Sequence, residues 1–231
     1  MSASPYEKVI VALDFDDSEK AFRLVEQIGD RIDWFKIGPM LFIQSGVEMI
    51  SFLHRRQKKI FVDLKLHDTP AVVSDSIRQI ADLGAHFATV HCLGGRTMLE
   101  AAGGSCRGSQ LKLIGITLLT SHQNRDSQGW GWRASDQEIT LKLLDTALES
   151  RLAGVMCAPQ ESSEVRARTV PGFVLVTPGI RLPGQEVFQD DQQRTQSPQE
   201  ALKGGADFIV IGRPITQARE PREVISRLFE A

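Results

Sequence analysis

The sequence predicts an α/β protein in which eight parallel strands close into a barrel with helices outside, one domain over residues 1–231. Three observations carry this expectation. Eight short apolar or β-branched runs recur along the chain, helix-type patterns fill the intervals, and the spacing of about 29 residues per unit suits a (β/α)8 TIM barrel, which typically uses ~250 residues. A doubly wound eight-stranded sheet is the structural rival, and no Gly/Ser tract, long charge run or low-complexity segment marks a linker.

Taken in order, the runs are residues 9–13, 34–37, 59–64, 87–91, 111–118, 154–157, 173–176 and 208–211. Several are apolar at nearly every position, as parallel strands buried on both faces require. After the first run, Ala21, Leu24, Val25 and Ile28 follow helical spacing and Gly29 supplies a stop. Pro39 and Pro214 follow the second and eighth runs directly, and Thr69-Pro70 follows the third, each as a helix start. Ser135-x-x-Glu138 and Ser197-Pro198-x-Glu200 read as capping boxes.

Composition narrows the function. With 42% hydrophobic and 24% charged residues in 231, the chain buries a sizeable core. Its 27 Lys+Arg against 29 Asp+Glu provide no basic excess for tracking a nucleic acid, so any cationic function is local. Three cysteines without C-x-x-C spacing fit a reducing compartment better than a disulfide framework or zinc site. The N-terminal M-S-A-S-P-Y-E-K lacks the pattern of a signal peptide, and no apolar run approaches a membrane span. The expectation is a cytoplasmic protein that binds neither membrane nor nucleic acid.

In a barrel of this kind chemistry sits at the C-terminal ends of the strands. The polar residues that interrupt the apolar runs fall there: Asp14, Lys36, then Asp63, Lys65 and Asp68, then His91, Thr120-Ser121, residues 177–181 and Gly212-Arg213. A lone acid after a strand is more often a turn or helix cap, but here polar residues of these types recur at one strand end after another. In D-L-K-L-H-D at 63–68, period-2 geometry places Asp63 and Lys65 on one face. They read either as an ion pair closing the barrel or, with Lys36 from the adjacent strand, as part of an alternating Lys–Asp array that keeps lysines charged and presents a proton donor. His67 reads as structural, and His91 reads as either a ligand or a satisfied core histidine. Residues 177–181, T-P-G-I-R, and 211–213, I-G-R, place glycine and arginine in the two loops where barrels commonly bind phosphate.

Together V-A-L-D-F at 11–15, F-x-D-L-K-x-H-D at 61–68, L-T-S at 119–121, T-P-G-I-R at 177–181, D-Q at 191–192 and I-G-R at 211–213 resemble, in order, the bacterial orotidine 5′-phosphate decarboxylase family. The resemblance implies a cofactor-free, metal-free conversion of orotidine 5′-phosphate to uridine 5′-phosphate in pyrimidine biosynthesis. It implies Lys65 as proton donor to C6, Asp63 against the substrate carboxylate, Lys36 beside the ribose and Asp14 on a ribose hydroxyl. It places Thr120 and Ser121 at the pyrimidine, Gln192 between base and phosphate, and Arg181, Gly212 and Arg213 at the phosphate. It also implies a homodimer in which Asp68 and Thr69 serve the neighbouring subunit's site.

This chain departs from the family's usual H-D-I-P-N-T, reading H-D-T-P-A-V at 67–72, so Thr69 is either a ligand contact or only a helix cap. Residues 123–133, with Trp130 and Trp132, carry none of these motifs and read as a solvent-side loop or a cover over the pyrimidine. Two other functions compete. A Mg²⁺-dependent sugar-phosphate lyase of the same superfamily shares the D-x-K-x-x-D element but needs a carboxylate where this chain has Lys36. A non-catalytic phosphoribosyl-binding barrel has no need of Lys65 between acids.

Overall fold

The computed structural model describes residues 4–122, 124–182 and 194–229. Strands β1 (Val9–Ala12), β2 (Trp34–Ile37), β3 (Lys59–Leu66), β4 (Phe87–His91), β5 (Lys112–Ile116), β6 (Gly154–Met156), β7 (Val174–Thr177) and β8 (Phe208–Ile211) close into a barrel in chain order. All neighbours are parallel, and β1 joins β8 through Val9↔Ile209 and Val11↔Ile211. This is a (β/α)8 TIM barrel, not the doubly wound alternative.

Helices α1 (Ser18–Ile28), α2 (Pro39–Arg55), α3 (Pro70–Asp82), α4 (Gly95–Ser105), α5 (Asn124–Gly129), α6 (Asp136–Glu149), α7 (Ser162–Ala167), α8 (Pro198–Lys203), α9 (Arg213–Thr216) and α10 (Pro221–Arg227) follow the strands. Their starts obey local chemistry. Ser135/Glu138 and Ser197/Glu200 form reciprocal capping boxes, and prolines open α2, α3, α8, α9 and α10. Gly29 ends α1 at φ 60, a conformation that penalises a side chain.

Strand alternation divides the core. Val9, Val11, Phe35, Ile37, Ile60 and Val62 face outward and pack with the helices. Ile10, Ala12, Trp34, Phe61, Phe87, Ile114 and Ile116 face inward. Trp34 stacks on Phe87 at 4.5 Å between ring centroids and meets Phe208 at 5.2 Å, filling the N-terminal end of the barrel with aromatic surface. One inward step further along, the same strands present Lys36, Asp63 and Thr89. A polar layer thus stands on an apolar floor.

Two strands end two residues away from the expected run, and β1, β6 and β7 differ from theirs by single residues. The fifth apolar run is wider than β5 because Leu111 and Leu118 are buried without joining its ladder; apolarity reports burial, not pairing. The third strand continues to Leu66 through an irregularity, since pairing with β4 jumps from Val62↔Ala88 to Leu66↔Val90.

Candidate active site

At the C-terminal mouth a cavity of about 490 Å³ is bordered by Asp14, Lys36, Asp63, Lys65, Thr120, Ser121, Gly179, Arg181, Gly212 and Arg213. Residues from six strand ends thus converge as the sequence implies. Four of them form one charge chain. Lys36 Nζ lies 3.1 Å from Asp14 Oδ1 and 3.2 Å from Asp63 Oδ2, and Lys65 Nζ lies 2.9 Å from that same Asp63 oxygen.

Burial is graded along this chain. The Lys36 and Asp63 side chains are 8% and 3% exposed, whereas Lys65 and Asp14 reach solvent at 33% and 53%. Burial alone would raise the Asp63 pKa, but the ammonium groups of Lys36 and then Lys65 outweigh it and hold the carboxyl below its ordinary value. Burial would likewise depress Lys36, yet the carboxylates of Asp63 and then Asp14 hold it above its ordinary value. Each charge is tolerable here only because the other is present.

Glycines and arginines from the ends of β7 and β8 complete the lining. Gly179 adopts φ 74 in the loop after β7, and an isolated bridge between Ile180 and Gln196 braces that loop beside Arg181. Gly212 and Arg213 approach from the end of β8. A Cβ at Gly212 would meet nothing closer than Ala12 Cβ at 3.5 Å, so the protein itself leaves room there. Between the charged ends, Ile116, Leu118, Met156 and Val210 provide an apolar wall. The cavity thus carries ammonium groups, guanidinium groups and an apolar wall on one lining.

Other sequence candidates fall elsewhere. Asp68 and Thr69 are exposed and lie outside the cavity of their own chain; Asp68 Oδ1 accepts the Thr69 N–H at 2.6 Å. Thr69 occupies the N-cap position of α3, but its side chain makes no capping hydrogen bond. Within the chain, Asp14 supplies the fourth charge of the alternating array. Gln192 lies outside the described residues. The rings of His67 and His91 stack at 5.5 Å, and His91 Nδ1 accepts the Leu93 N–H. Burial, followed by the charges of His67 and Lys65, pushes the His91 pKa down to about 4, which keeps that ring neutral.

Where the sequence suggests a solvent-side loop or a cover, the described residues 124–133 contain a short helix, α5. Trp130 beyond it is exposed and meets Trp132 edge-on at 5.3 Å; Trp132 packs on the core. Its remaining neighbours Arg125, Asp126 and Gly129 line a separate surface pocket that shares Leu119 and Ser121 with the main cavity.

Sequence reasoning missed two residues. A Cβ on Gly38 would stand 2.6 Å from Asp14 Oδ1 and 3.4 Å from Lys36 Nζ, so this glycine makes space for the ion pair. Thr89 accepts the Lys65 N–H at 2.7 Å and donates to Asp63 Oδ1 at 3.0 Å. Its only sequence signal was a polar residue at an inward position of an apolar run.

Comparison with known proteins agrees with this geometry. The family described as "Orotidine 5'-phosphate decarboxylase / HUMPS family" matches residues 7–228. The chain is 40% identical over 221 residues to the orotidine 5′-phosphate decarboxylase of Nitrosospira multiformis, covering 96% of this chain and 92% of that protein. It is also 40% identical over 227 residues to the protein of the same name from Methylorubrum extorquens, covering 98% and 96%. Among solved structures it resembles the orotidine 5′-phosphate decarboxylase of Lactobacillus acidophilus, with TM-score 0.82, 34% identity and cover of 97% and 100%. Matched from its first strand to its last helix and at this identity along nearly its whole length, the chain belongs to the orotidine 5′-phosphate decarboxylase / HUMPS family.

Proposed function

We propose that this barrel is a single catalytic domain that decarboxylates orotidine 5′-phosphate to uridine 5′-phosphate, a step of pyrimidine biosynthesis, with no metal or organic cofactor. The observation that carries the reading is the sharing of Asp63 Oδ2 between Lys36 and Lys65 at the mouth of an open cavity. In the proposed reaction the bond between C6 and the carboxylate breaks, carbon dioxide leaves, and the electron pair stays on C6. Lys65 Nζ then gives C6 a proton and is reprotonated from water. The developing pair has no π system to enter, so preorganised positive charge must stabilise it. Asp63 faces the substrate carboxylate, and its fixed charge holds the Lys65 ammonium in place.

Lys36 and Asp14 bind the ribose, Thr120 and Ser121 the pyrimidine, and Arg181, Gly212 and Arg213 the phosphate. Phosphate binding far from C6 supplies energy that organises the reacting end. A Mg²⁺-dependent sugar-phosphate lyase is disfavoured because the Lys36 ammonium stands where a divalent cation would need a carboxylate. A non-catalytic binding barrel is disfavoured because no binding role requires a lysine beside a shared buried carboxylate.

The functional unit is a homodimer in which Asp68 and Thr69 reach the partner's cavity. Support comes from their exposure outside their own cavity and from exposed apolar side chains on α2 and α3. Met40, Ile43 and Val47 form an exposed stripe along α2, and Val72 is exposed at the start of α3. A cytoplasmic setting is supported by three free cysteines, Cys92, Cys106 and Cys157. No helix among the described residues is long and apolar enough to cross a membrane.

The test is to incubate the purified protein with orotidine 5′-phosphate after exhaustive EDTA treatment and follow the loss of orotate absorbance. Turnover is expected to persist. A Mg²⁺ requirement would transfer the assignment to the sugar-phosphate lyases, and absence of turnover with intact binding would transfer it to the binding barrel.

A further inference from the structure

Three described residues other than glycine have positive φ: Gln57, Lys65 and Arg151. Gln57 and Arg151 each follow a helix C-cap, where left-handed backbone is an ordinary way to stop. Lys65, at φ 49, lies inside a β-strand, and helix termination does not explain it.

The cause lies between β3 and β4. Pairing runs through Val62↔Ala88 and resumes at Leu66↔Val90, so residues 63–65 face Thr89 alone. On its other side β4 is regular, paired with β5 without a break from Phe87↔Lys112 to His91↔Ile116. Thr89 therefore stands on a straight, doubly flanked strand while β3 bulges against it.

Its hydroxyl is used twice. The Lys65 N–H, which has left the ladder, can only donate, so Thr89 Oγ1 accepts it at 2.7 Å. The hydroxyl proton is then left for Asp63 Oδ1 at 3.0 Å, where a carboxylate can only accept. With Oδ1 so engaged, Oδ2 is turned toward Lys36 and Lys65. Thr89 is 1% exposed and lies behind both residues, so it acts through them and not on a ligand.

We propose that Thr89 is the positioning residue of the reaction: one hydroxyl holds the left-handed backbone of Lys65 and the rotamer of Asp63, and thereby aims the Lys65 ammonium at the reacting carbon. The role rests on the decarboxylase reading above.

The test compares Thr89→Val, nearly isosteric but without a hydroxyl, with Thr89→Ser, which keeps it. For Thr89→Val, kcat on orotidine 5′-phosphate should fall on the order of 10- to 100-fold, as small misplacements of reacting groups do, while the Kd of uridine 5′-phosphate moves less than about threefold. Thr89→Ser should restore kcat to within about threefold of wild type. Amide hydrogen exchange at Lys65 should be protected in wild type and Thr89→Ser and at least about tenfold faster in Thr89→Val. Unchanged kcat or exchange in Thr89→Val, or an equal loss in Thr89→Ser, would overturn the proposal.

Should Thr89→Val not fold, Thr89→Cys replaces it, its weak thiol hydrogen bonds giving an intermediate loss of kcat of about tenfold; full activity in that variant overturns the proposal equally. Wild-type protein is assayed first. If it does not turn over orotidine 5′-phosphate, the decarboxylase reading fails by itself, and the exchange experiment still decides whether Thr89 holds Lys65.

Discussion

Lys36 Nζ lies 3.2 Å from Asp63 Oδ2, and neither side chain is more than one-tenth exposed. Neither charge would be stable at this depth without the other, so the pair links site geometry to stability. In the folded chain the Asp63 pKa is held below its ordinary 3.8, against burial, by Lys36 and Lys65. Its stabilisation is complete above 3.8 and is lost as pH falls through the lower folded value. The Lys36 pKa is held above 10.5, so its contribution is complete below 10.5 and is lost as pH rises through the higher folded value.

Asp63→Asn should therefore destabilise the protein at pH 7 by about 3 kcal/mol, the low end for a broken buried pair because Asp14 still faces Lys36. The difference from wild type should narrow as pH falls below 3.8. Denaturant melts at pH 7 and about pH 3 measure it. An equal difference at both values would mean that the carboxylate charge is not what stabilises the fold.

The inward-facing charges were legible because parallel strands offer few places for them. A lysine in W-F-K-I and an acid in F-V-D-L stand out from runs that are otherwise buried. Strand periodicity accounts only in part for the meeting of Asp63 and Lys65. Simple alternation places them on one face, but the backbone between them is bulged, and Lys65 is left-handed. That could not be read from the sequence, because the bulge is defined by where β4 resumes pairing. Thr89 was hidden for the same reason: threonine is an ordinary strand residue until a particular N–H is brought against it. Gly38 was hidden because the atom that requires its missing Cβ, Asp14 Oδ1, belongs to a different strand end.

Gly38→Ala should raise KM for orotidine 5′-phosphate about tenfold with a smaller change in kcat. Its φ of −86 suits alanine, so the cost comes from contact and not from backbone strain. The new methyl would displace the half-exposed Asp14 carboxylate from Lys36 while Asp63 and Lys65 keep their contact. Steady-state kinetics decide it: a loss confined to kcat would place Asp14 at the chemical step instead of at the ribose.

Arg213→Ala should act through the phosphate. Its position at the end of β8, on the lining of the cavity, predicts a loss of about 2 kcal/mol in transition-state binding, or roughly 30-fold in kcat/KM, for the phosphorylated substrate. Orotidine, which lacks the phosphate, should be affected far less. Parallel assays on the two substrates provide the comparison, and equal losses on both would refute a phosphate clamp.

The shared-site proposal makes the sharpest demand on the dimer. Lys65→Ala removes the proton donor and should lower turnover at least about 10³-fold while uridine 5′-phosphate still binds. Asp68→Asn should disable the partner's site, because Asp68 lies outside the cavity of its own chain. When the two inactive proteins are mixed and allowed to exchange subunits, one site of each heterodimer receives both wild-type residues and the other receives both substitutions. Random exchange leaves about half of the dimers mixed and half of their sites intact, so about one quarter of wild-type activity should return under closed two-fold symmetry. A mass-tagged control verifies the exchange. If subunits exchange and activity stays at the level of the separate variants, Asp68 acts within its own chain, and the apolar stripe of Met40, Ile43 and Val47 needs another explanation.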